Sequence, residues 1–184
     1  MISFVTSNEH KFHEVSVFMK EVGMEVTWVK MKYEEIQDED VKKVSLLSMK
    51  SLQGVINGDF FIEDTGLFIA DLKGFPGAYA SYVQKTIGND GILKLLEGRE
   101  SEAYFETCIS LSLSGKISQF TGTLKGRMAT TQTGKSGFGY DPIFIPEGEK
   151  MSLAQIETSR KNEISHRGRA LREMVNFLRN KGVV

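Results

Sequence analysis

The amino-acid sequence predicts an α/β protein with a mixed β-sheet, and three observations support this fold class. Short apolar segments alternate with stretches of helical spacing through the first third of the chain. Residues 102–113 and 116–128 then flank Ser114-Gly115 and have the pattern of two paired strands. A helical pattern follows near the C-terminus. Alternating strands and helices favour parallel strands, and a strand pair adds antiparallel ones, so the combination predicts a mixed sheet.

A buried strand, a tight loop and a helix begin the chain. Residues 2–6 (Ile-Ser-Phe-Val-Thr) have the composition of a short buried strand, and the helix that follows is expected to extend to residue 22. Its apolar residues recur every three or four positions: Phe12, Val15, Met19 and Val22. A second strand is predicted near residues 24–30.

A second helix and another strand come next. The helix is expected near residues 40–53, with Asp38 or Asp40 as its N-cap. Its inward face is predicted to hold Val41, Val44 and Leu52. Residues 60–62 (Phe-Phe-Ile) form an apolar strand that is expected to end in the following polar segment: Glu63, Asp64, Thr65 and Gly66.

The last helix is predicted at about residues 167–180. Its apolar face consists of Ala170, Leu171, Met174 and either Phe177 or Leu178. The sequence has no internal repeat, low-complexity tract or flexible linker, so residues 1–184 are expected to form one domain.

Composition excludes several classes of protein. The 184 residues are 40% hydrophobic and 26% charged, which are globular values and exclude disordered and collagen-like chains. The single cysteine, Cys108, cannot form an internal disulfide, so a reducing compartment such as the cytoplasm is expected. No signal-peptide pattern or apolar run of about 20 residues is present, so we expect no membrane association. A net charge of −1 argues against a nucleic-acid partner.

Charge is nevertheless uneven along the chain. Residues 160–184 hold seven Lys or Arg against two Glu. An acidic cluster lies near the middle of the first half: Glu34, Glu35, Asp38, Glu39 and Asp40. Each cluster is either a solvated face or part of a ligand site, and the sequence leaves both interpretations open.

The first candidate site lies where the first strand gives way to a helix. Its residues are Thr6, Ser7, Asn8, Glu9, His10 and Lys11. Exposed N–H groups at a helix N-terminus attract anions, and Lys11 adds a positive charge, so the segment could hold phosphate. Alternatively, Ser7 or Asn8 only caps the helix.

Carboxylates form the second candidate site. Glu63 and Asp64 follow the apolar strand, and Glu35 is a possible third member. Mg²⁺ takes oxygen ligands, typically one or two carboxylates together with substrate phosphates, so a magnesium site beside a phosphate site is chemically consistent. The alternative is a polar turn at a strand end.

A relaxed P-loop pattern also occurs, at residues 129–136 (Ala-Thr-Thr-Gln-Thr-Gly-Lys-Ser). A true P-loop joins a strand to a helix, whereas the residues that follow here, Gly137 to Pro142, do not favour a helix start. We therefore expect a flexible loop at this segment.

Two later segments could bind a base. In Phe138-Gly139-Tyr140-Asp141-Pro142 an aromatic ring offers a stacking face and a carboxylate can accept hydrogen bonds. In the segment before the last helix, Lys161, His166 and Arg167 could donate to a phosphate or to a carbonyl oxygen on the base. An aromatic core turn and a helix cap are the structural alternatives.

Taken in order, these segments resemble the inosine triphosphate pyrophosphatase family. The resemblance extends from Thr6 to Arg167 and rests on five short motifs: Thr6-Ser7-Asn8-x-x-Lys11, Glu63-Asp64-Thr65-Gly66-Leu67, Gly74-Phe75-Pro76-Gly77, Phe138-Gly139-Tyr140-Asp141-Pro142 and Ser165-His166-Arg167. It implies a mixed α/β fold with a long twisted sheet, flanking helices and two lobes around a central cleft. It also implies a homodimer.

The resemblance assigns roles to individual residues. Asp64 would bind metal and accept a proton, with Glu35 as the second metal ligand and Mg²⁺ as the cofactor. The triphosphate would be held by residues 6–11 together with Lys50 and Lys161, and Thr65 would touch the substrate. The base would lie against Phe138, Gly139, Tyr140 and Asp141. His166 and Arg167 would read its 6-keto group.

The family hydrolyses ITP, dITP and XTP to the monophosphate and pyrophosphate, which keeps deaminated purines out of nucleic acid. The chain departs from it in two places: the Lys50–Asp64 stretch is shorter than in some members, and Ser81 stands where some members have a basic residue. Neither the rejection of GTP nor a catalytic part for Glu63 follows from the sequence. The alternatives are an ATPase or GTPase that uses residues 129–136, and a nucleotide sensor without turnover.

Overall fold

Helices and strands alternate in the first half of the molecule, and a long strand pair dominates the second. The computed structural model describes residues 2–183. Its strands are β1 (Ile2–Val5), β2 (Val26–Val29), β3 (Phe60–Ile69), β4 (Pro76–Gly77), β5 (Ser101–Leu113), β6 (Lys116–Met128) and β7 (Phe144–Pro146). Its α-helices are α1 (Glu9–Glu21), α2 (Val41–Leu52), α3 (Ala80–Thr86), α4 (Gly88–Leu95), α5 (Thr158–Ile164) and α6 (His166–Asn180).

The seven strands form one mixed sheet, as the sequence predicts. Six follow the order β2-β1-β3-β5-β6-β7, and β4 pairs with part of β3. β1 is parallel to β2 and β3, and the remaining pairs are antiparallel. Because Phe4 lies opposite Phe61 in the parallel pair, the turn after β1 runs alongside Glu63. The register therefore brings the first two candidate sites together.

The predicted strand pair is a hairpin of two 13-residue strands, β5 and β6. Pairing is continuous from Ser101 opposite Met128 to Leu113 opposite Lys116. The connection is Ser114-Gly115, and both residues have positive φ angles, 48° and 78°. Two such residues match the twist of the flanking strands and allow a two-residue hairpin turn.

Helices cover both faces of the sheet. On one face, Phe4 and Phe61 lie in a core cluster with residues of α1 and α6, among them Val15 and Met174. On the other face, the cluster around Val5 includes α2 and these side chains: Met49, Leu52, Phe60 and Ile62. Since successive strand residues point to opposite faces, a strand buried on both sides must be continuously apolar. The Phe-Phe-Ile sequence of β3 meets this requirement.

The structure corrects one boundary and adds elements that the sequence analysis missed. β3 does not end at Glu63 but continues to Ile69, because β5 pairs with it over that whole length. Helices α3, α4 and α5 and strands β4 and β7 are additions. Within residues 2–183, no helix has the length and apolar character needed to cross a membrane.

Candidate active site

A cleft of about 1050 Å³ opens beside the end of β1. The cleft is lined by the turn after β1, residues 31–38, the first residues of α2, part of α3 and residues 138–141. Most residues assigned to the site by resemblance line this cleft: Thr6, Ser7, Asn8, His10, Lys11, Glu35, Asp64, Thr65, Phe138, Gly139, Tyr140, Asp141, Lys161, His166 and Arg167. Five separate segments of the chain thus converge on one cavity.

Two assigned residues do not line the cleft. Glu9 is exposed and pairs with Lys30 at 2.5 Å. Lys50 is exposed near the C-terminal end of α2. A phosphate role for these side chains therefore has no support from the geometry.

In the turn after β1, polar side chains accept hydrogen bonds from the backbone of the turn and of the first residues of α1. Asn8 is the N-cap of α1, and its Oδ1 accepts from the N–H groups of His10 (3.0 Å) and Lys11 (3.2 Å). Thr6 Oγ1 accepts from Asn8 N–H at 3.1 Å. Ser7 remains exposed to solvent. The capping alternative thus holds for Asn8, and the turn still borders the cleft.

Glu63 is a buried anchor. Arg167 forms a bidentate salt bridge with the Glu63 carboxylate, with Nε 2.5 Å from Oε2 and Nη2 2.9 Å from Oε1. Thr65 Oγ1 donates to Oε1 at 2.6 Å, and Lys11 Nζ lies 3.3 Å from the same oxygen. Burial opposes ionisation, but Arg167 and Lys11 outweigh it and hold the pKa of the Glu63 carboxyl well below its usual range. A carboxylate this firmly ionised is a poor proton acceptor.

Asp64, the next residue, has the opposite environment. It is 7% exposed, and its Oδ2 has no hydrogen-bond partner within residues 2–183. Burial raises the pKa of the Asp64 carboxyl to about 7, and Glu35 and Glu63 add to the rise while Lys11 opposes it. A carboxylate with an unpartnered oxygen and a pKa near neutrality can take up either a proton or a cation.

Glu14 is a member of the site that sequence reasoning missed. Its Oε1 lies 2.6 Å from Lys161 Nζ and its Oε2 lies 2.5 Å from Arg167 Nη1, and all three side chains are buried. Lys161 Nζ also lies 2.5 Å from Asp141 Oδ2. The helical spacing could have indicated Glu14, because it precedes Val15 and lies one turn before Phe18, on the side of α1 that faces the core.

Lys161 lies at the end of the cleft next to Phe138, here called the base end because the resemblance assigns residues 138–141, His166 and Arg167 to the base. Its Nζ lies 5.1 Å from the ring centre of Phe138, and the guanidinium carbon of Arg167 lies 5.6 Å from the same ring centre. His10 stacks on the same ring, with centroids 5.3 Å apart and planes 12° from parallel. Phe138 is therefore surrounded by cationic and aromatic side chains.

The remaining base-end residues are held by specific contacts. Tyr140 Oη donates to the Ala80 carbonyl at 2.9 Å. His166 stacks on Phe105 at 4.6 Å, and its Nδ1 has no partner within the described residues. Burial and the neighbouring Arg167 lower the pKa of His166 well below its usual value. The imidazole is therefore neutral at pH 7.

Four of the five motifs on which the family resemblance rests lie in these converging segments, residues 74–77 being the exception, and comparison with known proteins agrees. The family model of the Ham1 family matches residues 2–177. The chain belongs to the Ham1 family. Two relatives are dITP/XTP pyrophosphatases: that of Thermococcus kodakarensis is 46% identical over 97% of both chains. That of Pyrococcus horikoshii is 46% identical over 97% of this chain and 96% of its own.

Solved structures of the family confirm the fold. The Staphylococcus aureus Ham1 protein matches with a TM-score of 0.80 at 25% identity, and the match covers 97% of this chain and 99% of that one. The resemblance to inosine triphosphate pyrophosphatases is thereby confirmed at the level of the family and its fold.

In this Ham1 member, the P-loop-like segment is not part of the site. Residues 129–136 contain no helix, and Lys135 is exposed and does not line the cleft.

Several arginines of the basic C-terminal region bond to the protein's own backbone. Arg169, Arg172 and Arg179 donate to backbone carbonyls of Thr123, Asn162, Glu163 and Val22.

The carboxylates in the cleft are suited to binding a divalent cation, as the family resemblance implies. Asp64 supplies an unpartnered buried oxygen, and Glu35 is near enough to raise its pKa. Within residues 2–183, no group of three His, Cys, Asp or Glu side chains is arranged as a metal site. Two carboxylates suit Mg²⁺ when substrate phosphates supply further oxygens.

Proposed function

We propose that this chain hydrolyses ITP, dITP and XTP to the monophosphate and pyrophosphate, with Mg²⁺. The single observation that carries the proposal is Asp64, a buried carboxyl with a pKa raised to about 7 and an unpartnered oxygen in the cleft. The names of the Thermococcus and Pyrococcus relatives support the substrate class.

In this proposal the triphosphate binds beside Lys11. The Lys11 side chain is 20% exposed in the cleft and donates to the Glu63 carbonyl at 3.2 Å. Its charge and the positive end of α1 both favour phosphate oxygens. Lys32 and Lys85 also line the cleft and would add positive charge along the phosphate chain.

Asp64 accepts the proton of the attacking water. The water oxygen bonds to the α-phosphorus, the bond from that phosphorus to the bridging oxygen breaks, and pyrophosphate leaves with the electron pair. In the metal-free protein the pKa of this carboxyl is about 7, and Mg²⁺ beside it would favour its ionised, proton-accepting form. Mg²⁺, held by Asp64 and Glu35, would supply positive charge that stabilises the phosphate oxygens.

The base end of the cleft suits a 6-keto purine. Three of the five N–H groups of Arg167 bond to Glu14 and Glu63, which leaves two for a ligand. Neutral His166 retains one ring N–H donor. Donors left without an acceptor by the 6-amino group of adenine would disfavour ATP.

The proposal extends to the assembly and location of the protein. A homodimer is supported by exposed aromatic side chains around the start of α3: Phe75 is 41% exposed, Tyr79 38% and Tyr82 69%. We place the protein in the cytoplasm because its one cysteine fits a reducing compartment, and its net charge of −1 favours no nucleic-acid partner. Sedimentation equilibrium tests the dimer.

Product analysis tests the activity. Purified protein with Mg²⁺ is incubated separately with ITP, XTP, GTP and ATP, and orthophosphate is separated from pyrophosphate. Pyrophosphate with IMP or XMP, and little product from GTP or ATP, is the expected result. Orthophosphate with a nucleoside diphosphate would refute the proposed cleavage, and binding without product would indicate a sensor.

A further inference from the structure

The side chains of His10 and Lys11, which are neighbours in α1, point to different parts of the cleft. His10 stacks on the Phe138 ring, with centroids 5.3 Å apart and planes 12° from parallel. Lys11 Nζ lies 3.2 Å from the Glu63 carbonyl oxygen. Successive residues of an α-helix point about 100° apart, so the two side chains diverge. The resemblance assigns both to the triphosphate, but His10 contacts a residue that is assigned to the base.

The position of His10 on α1 also associates it with the base end. His10 and Glu14 lie on one face of the helix, because residues four apart are neighbours on its surface. Glu14 binds Lys161 and Arg167. Both cations also lie over the Phe138 ring. Two consecutive turns of α1 therefore contact the base end, His10 from the first and Glu14 from the second.

The imidazole of His10 has a second face that Phe138 does not cover. His10 is exposed and lines the cleft, although one face of its ring lies against Phe138. Its backbone N–H donates to Asn8 Oδ1 at 3.0 Å, so the helix cap does not depend on the side chain. The ring is thus available to a ligand, and its replacement leaves the local backbone bonds intact.

An aromatic ring with a free face can stack on a nucleobase, because every base has a π-face. We infer that His10 binds the base and not the triphosphate: the purine stacks on the open face of the imidazole, and Phe138 supports the imidazole from behind. The inference rests on the proposed function and adds a contact to the base. Stacking depends on the flat ring and not on the exocyclic groups of the base, so His10 contributes affinity for purines in general.

Two substitutions separate stacking from a phosphate contact. His10→Gln keeps hydrogen-bond donors but loses the aromatic ring, whereas His10→Phe keeps an aromatic ring without a donor. We would measure kcat and KM for ITP in the presence of Mg²⁺. Stacking predicts a KM roughly tenfold above wild type in His10→Gln, with kcat little changed, and a KM restored to within about threefold of wild type in His10→Phe. A KM in His10→Phe that rises as much as in His10→Gln, or more, indicates a hydrogen-bonding contact and overturns the inference.

Calorimetric binding of IMP gives a readout that does not depend on turnover. The Kd for IMP should rise roughly tenfold in His10→Gln and much less in His10→Phe. His13→Ala is the matched control, because His13 is an exposed histidine of the same helix that does not line the cleft. This control should keep the wild-type KM and Kd.

The outcomes for the inference and for the proposed function are distinguishable. Wild-type KM and Kd in His10→Gln overturn the inference and leave the proposed function intact. A lower KM in His10→Gln means that the imidazole obstructs the base, which overturns the inference as well. A wild-type chain that binds IMP without hydrolysing ITP refutes the proposed function, and the IMP affinities of the variants then decide the inference. A wild-type chain that neither hydrolyses ITP nor binds IMP overturns both.

Discussion

Replacing Asp64 with Asn should abolish turnover and yet stabilise the metal-free protein. The raised pKa of Asp64 means that folding disfavours its charged form. A rise from 3.8 to about 7 is about 3 units, and each unit corresponds to about 1.4 kcal/mol, so the charge destabilises the fold by up to about 4 kcal/mol above pH 7. The new amide leaves unpaired donors, which cost about 1–3 kcal/mol.

The pH dependence distinguishes this effect from ordinary repacking. Because the folded-state pKa lies above the unfolded one, the stability that protonated Asp64 provides is complete below about pH 4 and is lost as the pH rises through about 7. The difference in free energy of unfolding between Asp64→Asn and wild type should therefore be greatest at pH 8. At pH 5 it should be smaller by roughly 2–3 kcal/mol.

Urea and thermal unfolding in EDTA at pH 5 and pH 8 measure this difference. At pH 8 the variant should melt about 5 °C higher than wild type, since about 1 kcal/mol shifts Tm by roughly 2–4 °C in a domain of this size. Addition of Mg²⁺ should stabilise wild type more than the variant. Asp71→Asn, at an exposed carboxylate outside the cleft, is the control. A pH-independent difference, or a less stable variant at pH 8, would refute the reasoning.

Three further predictions test the surrounding residues. Glu14→Gln should destabilise the protein by about 3–5 kcal/mol in urea unfolding, because Lys161 and Arg167 lose a buried counter-charge, whereas Glu21→Gln on the exposed end of α1 should not. Arg167→Lys keeps the charge but loses the bidentate salt bridge to Glu63, so the ITP-to-ATP ratio of kcat/KM should fall roughly tenfold, and an unchanged ratio would move base recognition elsewhere. Lys135→Ala should leave kcat/KM for ITP within about twofold of wild type, and a large loss would revive the P-loop interpretation.

The sequence was sufficient for the elements with strong local signals. Helical spacing predicted α1 and α2. Of the two predicted N-caps of α2, Asp38 and Asp40, the structure has Asp40, whose side chain accepts from Lys42 N–H at 2.9 Å. The alternating hairpin was predicted within one residue at its start. Helices α3 and α5 have seven residues each, too few for a clear period, and were missed.

The site residues divide in the same way. Most of those within the short motifs line the cleft, where the turn after β1, strand β3, residues 138–141 and the start of α6 come together. Lys50 was assigned from the family resemblance but lies outside the five motifs, and in α2 its side chain is exposed to solvent instead. Glu14 belongs to no recognisable motif, and its partners Lys161 and Arg167 are distant in sequence. Such contacts follow from tertiary packing, which local patterns do not encode.

The contrast between Glu63 and Asp64 shows why packing decides the chemistry. The two acids are adjacent, and in the sequence they are interchangeable candidates for a proton acceptor. In β3 they must point to opposite faces, because side chains alternate along a strand. Glu63 faces Arg167 and is held ionised, whereas Asp64 faces Glu35 and lacks a hydrogen-bond partner on Oδ2 within residues 2–183. One pleat of the sheet thus separates an anchor for Arg167 from the group proposed to take the proton.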